Sequence, residues 1–170
     1  FAQAKPDWMQ YKNPYAAEAE NIANSHRTPD EVSAFAQAAV SDVLTFTAAN
    51  YQARLSGFKK YFVPDGWQAY AAYLKTAGII DAVTAQGRAV STIVAGTPEI
   101  ISQGALTGAY HWSVKVPAIV SLATSVPGLP ARTDSFAKYT VYLDIGRVAS
   151  GGGDAGIAIY GWRAEEPSLH

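Results

Sequence analysis

Helical spacing of apolar residues dominates the first half of the chain. Residues 28–31 supply an N-cap threonine, a proline at the first helical position and a glutamate that can complete a capping box. Apolar positions three and four residues apart then define one buried stripe: Val32, Phe35, Ala36, Ala39, Val40, Val43 and Thr47. The pattern predicts that this helix, or a kinked continuation of it, extends through Tyr51, Leu55 and Phe58 to residue 61.

Proline and glycine mark the ends of the helices that follow. Pro64 is expected to break the first helix, and residues 65–66 indicate a turn or cap. A second helix then places Trp67, Tyr70, Ala71 and Leu74 on one face, and Gly78 ends it. A short third helix is predicted over residues 79–87.

Beyond Gly87 the period of the pattern changes from 3.6 to 2, which is typical of strands. Residues 89–95 predict a first strand. The clearest strand signal covers 106–116, with Leu106, Gly108, Tyr110, Trp112, Val114 and Val116 on one face and Thr107, Ala109, His111, Ser113 and Lys115 on the other. Pro117, which follows, indicates a bulge or an edge position because proline cannot donate to a strand ladder.

Two further strands are predicted at residues 138–145 and 156–162. Strict alternation in the last one places Ile159 and Trp162 on opposite faces. Helices followed by a run of antiparallel strands are the layout of the α+β class. We expect three helices packed against a strongly bent antiparallel sheet of about four strands, which makes a cone-shaped domain with a concave face.

Three parts are predicted along the chain: an N-terminal arm at 1–27, an α+β interaction domain at 28–163 and a polar tail at 164–170. The arm carries four apolar or aromatic side chains without a clear period, Trp8, Met9, Tyr11 and Tyr15. Aromatic residues are enriched among interface anchors, so these four are candidate partner-binding residues. The alternative is that they pack back onto their own domain.

Composition excludes several kinds of functional site. The chain has 170 residues, a formal net charge of −1 and no cysteine. Disulfides, thiolate metal sites and cysteine nucleophiles are therefore excluded, and direct nucleic-acid binding lacks the basic field that drives it. No apolar run is long enough to predict a membrane span. The triplet at residues 2–4 fits the pattern before a signal-peptidase site, although alanine is frequent enough for such triplets to arise by chance.

The titratable residues suggest no catalytic constellation. His111 lies on the polar face of its predicted strand, where a structural role is more typical than that of a general base. Asp144, on another strand, has either His111 or a lysine as a possible partner. Trp67, Tyr70, Tyr73 and Tyr110 are candidates for an aromatic ligand cage, but aromatic residues at helical spacing are more often core. We predict no catalytic residue, no cofactor and no metal.

Several residues between positions 50 and 122 together resemble one protein family. They are Asn50, Tyr51, Phe62, Gly66, Trp67, Val90, Ser91, Pro98, Ile100, Gly104, Leu106, Gly108, Tyr110, Trp112, Val114, Val116 and Pro117, with residues 156–159 near the end. The pattern resembles the periplasmic domain of the DotI/IcmL family, which includes the TraM proteins of conjugative plasmids. Six of these residues are taken as structural motif positions, namely Trp67, Gly104, Gly108, Tyr110, Trp112 and Pro117.

The resemblance implies a fold like that of nuclear transport factor 2 and a non-enzymatic assembly role in a type IVB secretion or conjugation system. It implies other secretion-system subunits as partners, a homo- or hetero-oligomer and a periplasmic location. It supplies no catalytic residue and no cofactor. Family members usually carry a transmembrane helix before this domain. Since no such helix is predicted here, we expect either an excised fragment or a separately secreted relative.

A second hypothesis is a small-molecule-binding or isomerase-like enzyme that uses the concave face of the same cone. Such enzymes place a titratable acid or base inside an apolar cavity. The inward face expected here, Leu106, Tyr110, Trp112 and Val114, supplies mostly bulk. An open cavity with a buried aspartate or histidine would favour an enzyme, whereas a cone filled by tryptophan and tyrosine would favour assembly.

Overall fold

A computed structural model of the chain describes residues 27–124, 132–148 and 156–166. The helices in these ranges are α1 (Pro29–Val43), α2 (Tyr51–Phe58), α3 (Pro64–Thr76) and α4 (Ile79–Thr84), with a 3₁₀ turn at Lys59–Tyr61. The strands are β1 (Arg88–Val94), β2 (Glu99–Leu106), β3 (Ala109–Thr124), β4 (Arg132–Arg147) and β5 (Ile157–Glu165). The candidate partner-binding residues of the arm, Trp8, Met9, Tyr11 and Tyr15, lie outside the described residues.

Helix α1 begins at the predicted capping box. The Thr28 hydroxyl accepts a hydrogen bond from the Glu31 backbone N–H at 3.2 Å, and the Glu31 carboxylate accepts one from the Thr28 N–H at 2.8 Å. The backbone bond from Thr28 and the adjacent Arg27 guanidinium lower the pKa of Glu31. The stripe predicted for this helix is buried as far as Val43, which confirms its orientation toward the core.

Helix α1 ends at Val43, and the predicted continuation to residue 61 is neither the same helix nor a kinked extension of it. Helical structure resumes only after a break at residues 44–50, as α2 and the 3₁₀ turn. The intervening backbone bonds to the sheet instead of continuing the helix. Phe46 exchanges two backbone hydrogen bonds of 2.9 Å with Val90 of β1. The Asn50 side chain then accepts a bond from the Thr47 N–H at 2.7 Å, directly before α2. A long-range pairing therefore overrides the helical pattern at this point.

Pro64 follows the end of the preceding helical segment at Tyr61, as expected, and begins the next helix. It occupies the first turn of α3, where proline has no helical hydrogen bond to lose, and the expected turn at residues 65–66 is part of that helix. Gly66 is buried because α3 packs directly on β5. Gly78 follows the end of α3 with φ of 77°, the left-handed conformation expected of a glycine that ends a helix.

The sheet is antiparallel, with five strands among the described residues where about four were expected. The order is β1-β3-β4-β5, and β2 pairs with the same edge of β3 as β1 does. Pro117 lies between the two stretches of β3 that pair with β1 and β2, and its carbonyl accepts from the Ala95 N–H at 2.8 Å. The nitrogen of Pro117, which has no hydrogen to donate, therefore faces the gap between two partner strands. This position explains how a strand inside the sheet tolerates a proline.

The strand predicted over 106–116 is in fact a hairpin. Thr107 and Gly108 have φ of 48° and 86°, and positive φ at both central residues is the signature of a type I′ turn. Leu106 therefore ends β2, and Tyr110 belongs to β3. The expectation that Leu106 faces inward is wrong, because this side chain is 56% exposed.

A β-bulge in β5 reverses the expected alternation near its middle. Ile145 of β4 pairs with Ile159 and Asp144 pairs with Gly161, so Tyr160 is the extra residue. Ile159 and Trp162 are both buried as a result, and their predicted placement on opposite faces is wrong. The bulge brings the Trp162 ring into the space between α3 and the sheet.

The α+β class and the helices packed on one face of a bent antiparallel sheet are confirmed. The core lies between α1, α3 and the inner face of the sheet, which we define as the face carrying Trp112, Val114 and Val116. The opposite face, with His111 and Ser113, is the outer face. Among the described residues, no helix combines the length and apolar character needed to cross a membrane.

Candidate functional site

The space between the helices and the inner face is filled by aromatic rings. Phe62 stacks on Tyr70 with ring centroids 4.9 Å apart, and Tyr70 meets Trp162 edge-on at 5.2 Å. Trp67 and Tyr73 close the cluster, with Tyr73 at 5.8 Å from Trp162. We call these five residues the aromatic plug. The aromatic plug lies between α3 and the inner face of the sheet.

Tyr70 is the central side chain of the aromatic plug. It is fully buried, and its hydroxyl donates a hydrogen bond to the Val43 carbonyl at 2.5 Å. Burial raises the pKa of this phenol far above its usual range. Val43 is the last residue of α1, so the bond satisfies a carbonyl that has no partner within its own helix. Tyr70 therefore joins α3 to the end of α1.

The four aromatic residues considered as a ligand cage do not form one site. Trp67, Tyr70 and Tyr73 belong to the aromatic plug, and burial raises the pKa of Tyr73. Tyr110 lies elsewhere, 5.0 Å from the Trp112 ring, and its hydroxyl donates to the Gln103 side chain at 3.0 Å. The core interpretation of these residues is confirmed for Tyr70, which has no exposed surface.

The outer face carries two adjoining grooves, of about 450 and 320 Å³. Both are lined by Ser102, Ser113 and Asp144, so they lie side by side across β2, β3 and β4. The larger one continues toward Tyr142 and Arg163, and the Arg163 guanidinium lies 4.1 Å from the Tyr142 ring centre. The smaller one is lined mainly by β2. The outer face is therefore uneven and partly polar, in contrast to the packed inner face.

His111 and Asp144 form a pair at the edge of these grooves. The His111 Nδ1 lies 2.7 Å from an Asp144 carboxylate oxygen, and the histidine side chain is 10% exposed. The Tyr160 ring packs edge-on against the imidazole at 4.6 Å. The sequence allowed either His111 or a lysine as the partner of Asp144, and the structure shows His111. The two residues meet because β3 and β4 are adjacent strands.

The second ring nitrogen of His111 is enclosed by the protein. Asp144 orients Nδ1 as a carboxylate does in a catalytic dyad, but His111 Nε2 is buried and has no hydrogen-bond partner among the described residues. A Cβ at Gly146 would lie 2.5 Å from the Tyr160 ring and 2.9 Å from the His111 ring, so the two rings leave no space over that glycine. Within the described ranges, no three His, Asp or Glu side chains come together as a metal site.

Asp144→Ala is expected to lower the free energy of unfolding by about 1 kcal/mol, because the buried Nδ1 of His111 loses its partner. The effect lies at the low end of the usual range since the Asp144 side chain is 39% exposed, and water can replace it. Urea denaturation measures the change. Asp144→Asn keeps an acceptor oxygen and is the control. Equal stability of Asp144→Ala and the wild type would mean that the pair contributes nothing.

Large apolar side chains are exposed on the outer face and at β2. Ile93 and Phe136 are 63% and 66% exposed, and Ile101 and Leu106 are 53% and 56% exposed. The sequence pattern does not single them out as one surface. The alternation in residues 89–95 does indicate that Ile93 is exposed, because Ile93 and the buried Thr92 lie on opposite faces of the strand. Ile101 lies at a β-bulge in β2, which residue alternation alone does not predict.

Comparison with known proteins identifies the family. The sequence profile of the T4BSS DotI/IcmL family, described as the type IVb secretion system, inner-membrane complex component, matches residues 17–166. The chain belongs to this family. The resemblance drawn from the motif residues is therefore confirmed. No curated protein matches the DotI/IcmL-family chain in sequence.

Solved structures of other proteins share this fold. The periplasmic domain of DotI superposes with a TM-score of 0.75 at 24% identity, over 85% of this chain and 99% of that one. A periplasmic fragment of TraM gives 0.74 at 16% identity, over 82% and 98%. An IcmL-like type IV secretion system protein from Legionella pneumophila gives 0.70 at 21% identity, over 86% and 98%. At these identities the likeness establishes the fold.

The six motif residues occupy distinct structural positions in this DotI/IcmL-family chain. Trp67 belongs to the aromatic plug, and Trp112 is fully buried under the helices. Gly108 adopts a left-handed turn conformation, and Pro117 lies at the junction of β1 and β2. Gly104 and Tyr110 lie on β2 and β3, at the hairpin. The motif residues therefore lie at the hairpin, at the junction of β1 and β2, and in the core.

Proposed function

We propose that this chain is a non-enzymatic assembly component of a type IVB-like secretion or conjugation system. The observation that carries the proposal is the aromatic plug, which fills the cone in which an isomerase-like enzyme would bind its substrate. The family to which the chain belongs consists of inner-membrane complex components of such systems. An assembly role depends on surfaces, and the outer face supplies exposed apolar side chains with polar grooves between them.

We place the protein in the periplasm, with other subunits of the secretion system as its partners and a homo- or hetero-oligomer as its working form. Two proteins of the same fold, DotI and TraM, are known as periplasmic domains or fragments. A formal net charge of −1 supports partners other than nucleic acid, since binding to the phosphate backbone depends on basic surface. The inaccessible Nε2 of His111 supports a structural function for the His111–Asp144 pair.

The N-terminal arm is proposed as one anchor for these partners. Replacing Trp8, Met9, Tyr11 and Tyr15 together with alanine in the full chain is expected to leave the domain folded. Co-purification with the other secretion subunits is expected to fall at least tenfold, since truncating aromatic anchors typically costs about 2 kcal/mol or more. Circular dichroism checks the fold, and quantitative mass spectrometry of the native complex measures co-purification.

The matched control changes polar residues of the same arm, with Gln10, Lys12 and Asn13 replaced by alanine. This variant is expected to co-purify like the wild type. Normal co-purification of the four-residue variant would contradict a role for the arm. If that variant also melts at a lower temperature, the four side chains pack on their own domain instead.

A further inference from the structure

The edge of β2 that faces away from β3 has backbone groups available for pairing. The Pro117 carbonyl points toward the edge of β3 that β1 and β2 share, so alternate residues of β3, including His111, bond to β2. Their partners in β2 are Ser102 and Gly104. The N–H and C=O groups of Gln103 and Ala105 therefore point outward. Among the described residues, no backbone hydrogen bond reaches that side of β2.

The other two edges of the sheet, β1 and β5, are covered by other parts of the chain. Residue Phe46 covers β1 through its two bonds to Val90, and the Thr92 hydroxyl donates to the Leu44 carbonyl at 2.8 Å. On β5, Ile159 accepts a hydrogen bond from the Val63 N–H at 3.0 Å, and α3 packs alongside. An uncovered edge is a template for pairing with another chain, so proteins usually block it. Within the described ranges, β2 is therefore the edge left available for an interaction.

The side chains of β2 do not block pairing over its second half. Residues 100–106 contain no charge and no proline, the two common devices against edge-to-edge association. Leu106 is exposed on the outer face, and Ile101 lines the larger groove beside it. Gly104 adds no side chain, and a Cβ built there meets nothing within 4 Å. A second strand can therefore approach without steric or electrostatic conflict.

We propose that β2 pairs antiparallel with β2 of a second copy of this chain, about a two-fold axis at Gly104. This inference rests on the proposed assembly function and names one of its surfaces. In this register the outward groups of Gln103 bond to those of Ala105 in the other copy, and the reverse pair is formed by symmetry. Ser102 then faces Leu106 of the other copy on the outer face, with Ile101 adjacent.

The charge pattern of β2 suits pairing with a second copy. Two identical strands that pair antiparallel place like charges opposite each other unless the charges lie away from the axis. Glu99 is the charged residue of β2, and in this register it lies outside the paired segment, beyond the hairpin turn of the other copy. The pairing joins two five-stranded sheets into one continuous sheet and covers the exposed Leu106 of both copies.

Cysteine cross-linking tests the register. The two Gly104 residues would form a non-hydrogen-bonded pair, with Cα atoms about 4.5 Å apart, which a disulfide can span. Because the chain has no cysteine, Gly104→Cys introduces a single thiol. The purified full chain carrying this change is expected to form a covalent dimer on mild oxidation. Gly57→Cys, at another open glycine on α2, is the matched control and is expected to remain mostly monomeric.

A second variant tests the backbone pairing without oxidation. Ala105→Pro removes an outward N–H, which β3 does not use, and the preceding residue is a glycine. We expect dimerisation, measured by sedimentation, to weaken at least tenfold with an unchanged circular dichroism spectrum. Ala105→Val keeps the N–H and is the control.

Three results would overturn the pairing: a monomeric wild type, equal cross-linking of Gly104→Cys and Gly57→Cys, or full dimerisation of Ala105→Pro. Co-purification with secretion subunits separates this inference from the assembly role. If co-purification persists in a chain that does not dimerise through β2, only the β2 pairing fails. If β2 cross-links but the chain co-purifies with no secretion subunit, the assembly role fails and the pairing stands.

Discussion

Gly66→Ala is expected to lower the free energy of unfolding by about 3 kcal/mol or more. A Cβ at this position would lie 2.0 Å from the Ile159 carbonyl oxygen and 2.8 Å from its carbon. Both are backbone atoms of β5, so relief requires α3 to move away from the sheet. That movement would also displace Tyr70, which lies on the same helix.

Gly57→Ala is the matched control for this prediction. Gly57 also lies in a helix, α2, but a Cβ built on it meets nothing within 4 Å. Alanine is therefore expected to stabilise the chain by about 0.5–1 kcal/mol, through helix propensity alone. Urea denaturation of both variants gives the comparison. A Gly66→Ala protein as stable as Gly57→Ala would show that α3 does not pack on β5 this closely.

The two glycines illustrate what the sequence can predict. Both lie in helices, where propensity disfavours glycine, although the local pattern predicted a turn or cap at Gly66. Nothing in that pattern indicates that Gly66, and not Gly57, meets another strand. The difference arises from β5, which is almost one hundred residues away and approaches only Gly66. Local signals with a direct physical cause were predictable, such as the capping box at Thr28 and the helix end at Gly78. Features that depend on which strand lies next to which were not.

The errors in the strand predictions have the same origin. Alternation continues unbroken through Thr107 and Gly108, so a tight two-residue turn leaves no trace in the apolar pattern. The bulge at Tyr160 shifts the faces of β5 by one residue, and only the partner strand β4 reveals it. The partner of Asp144 also depended on which strands are adjacent. Asp144 was identified as a partner for His111 or a lysine, and the adjacency of β3 and β4 decided between them.

Tyr70→Ala is expected to lower the free energy of unfolding by about 3–5 kcal/mol, as removal of a large buried aromatic side chain does. The ring contacts Phe62, Trp67 and Trp162, and the substitution leaves a cavity between them. The Val43 carbonyl also loses its hydrogen bond at the end of α1. Thermal and urea denaturation measure the loss.

Tyr70→Phe separates the two contributions. The phenylalanine keeps the ring in the aromatic plug and removes only the bond to Val43, so a loss of about 1 kcal/mol is expected. The pair of variants also bears on function. A plug that fills the cone makes Tyr70→Ala much less stable than Tyr70→Phe, because the alanine leaves empty space that the surrounding side chains only partly fill. If both variants instead were nearly as stable as the wild type, Tyr70 would line a space open to solvent or ligand. That result would restore the small-molecule enzyme as the better hypothesis, since an assembly protein has no use for an accessible phenol at the centre of its core.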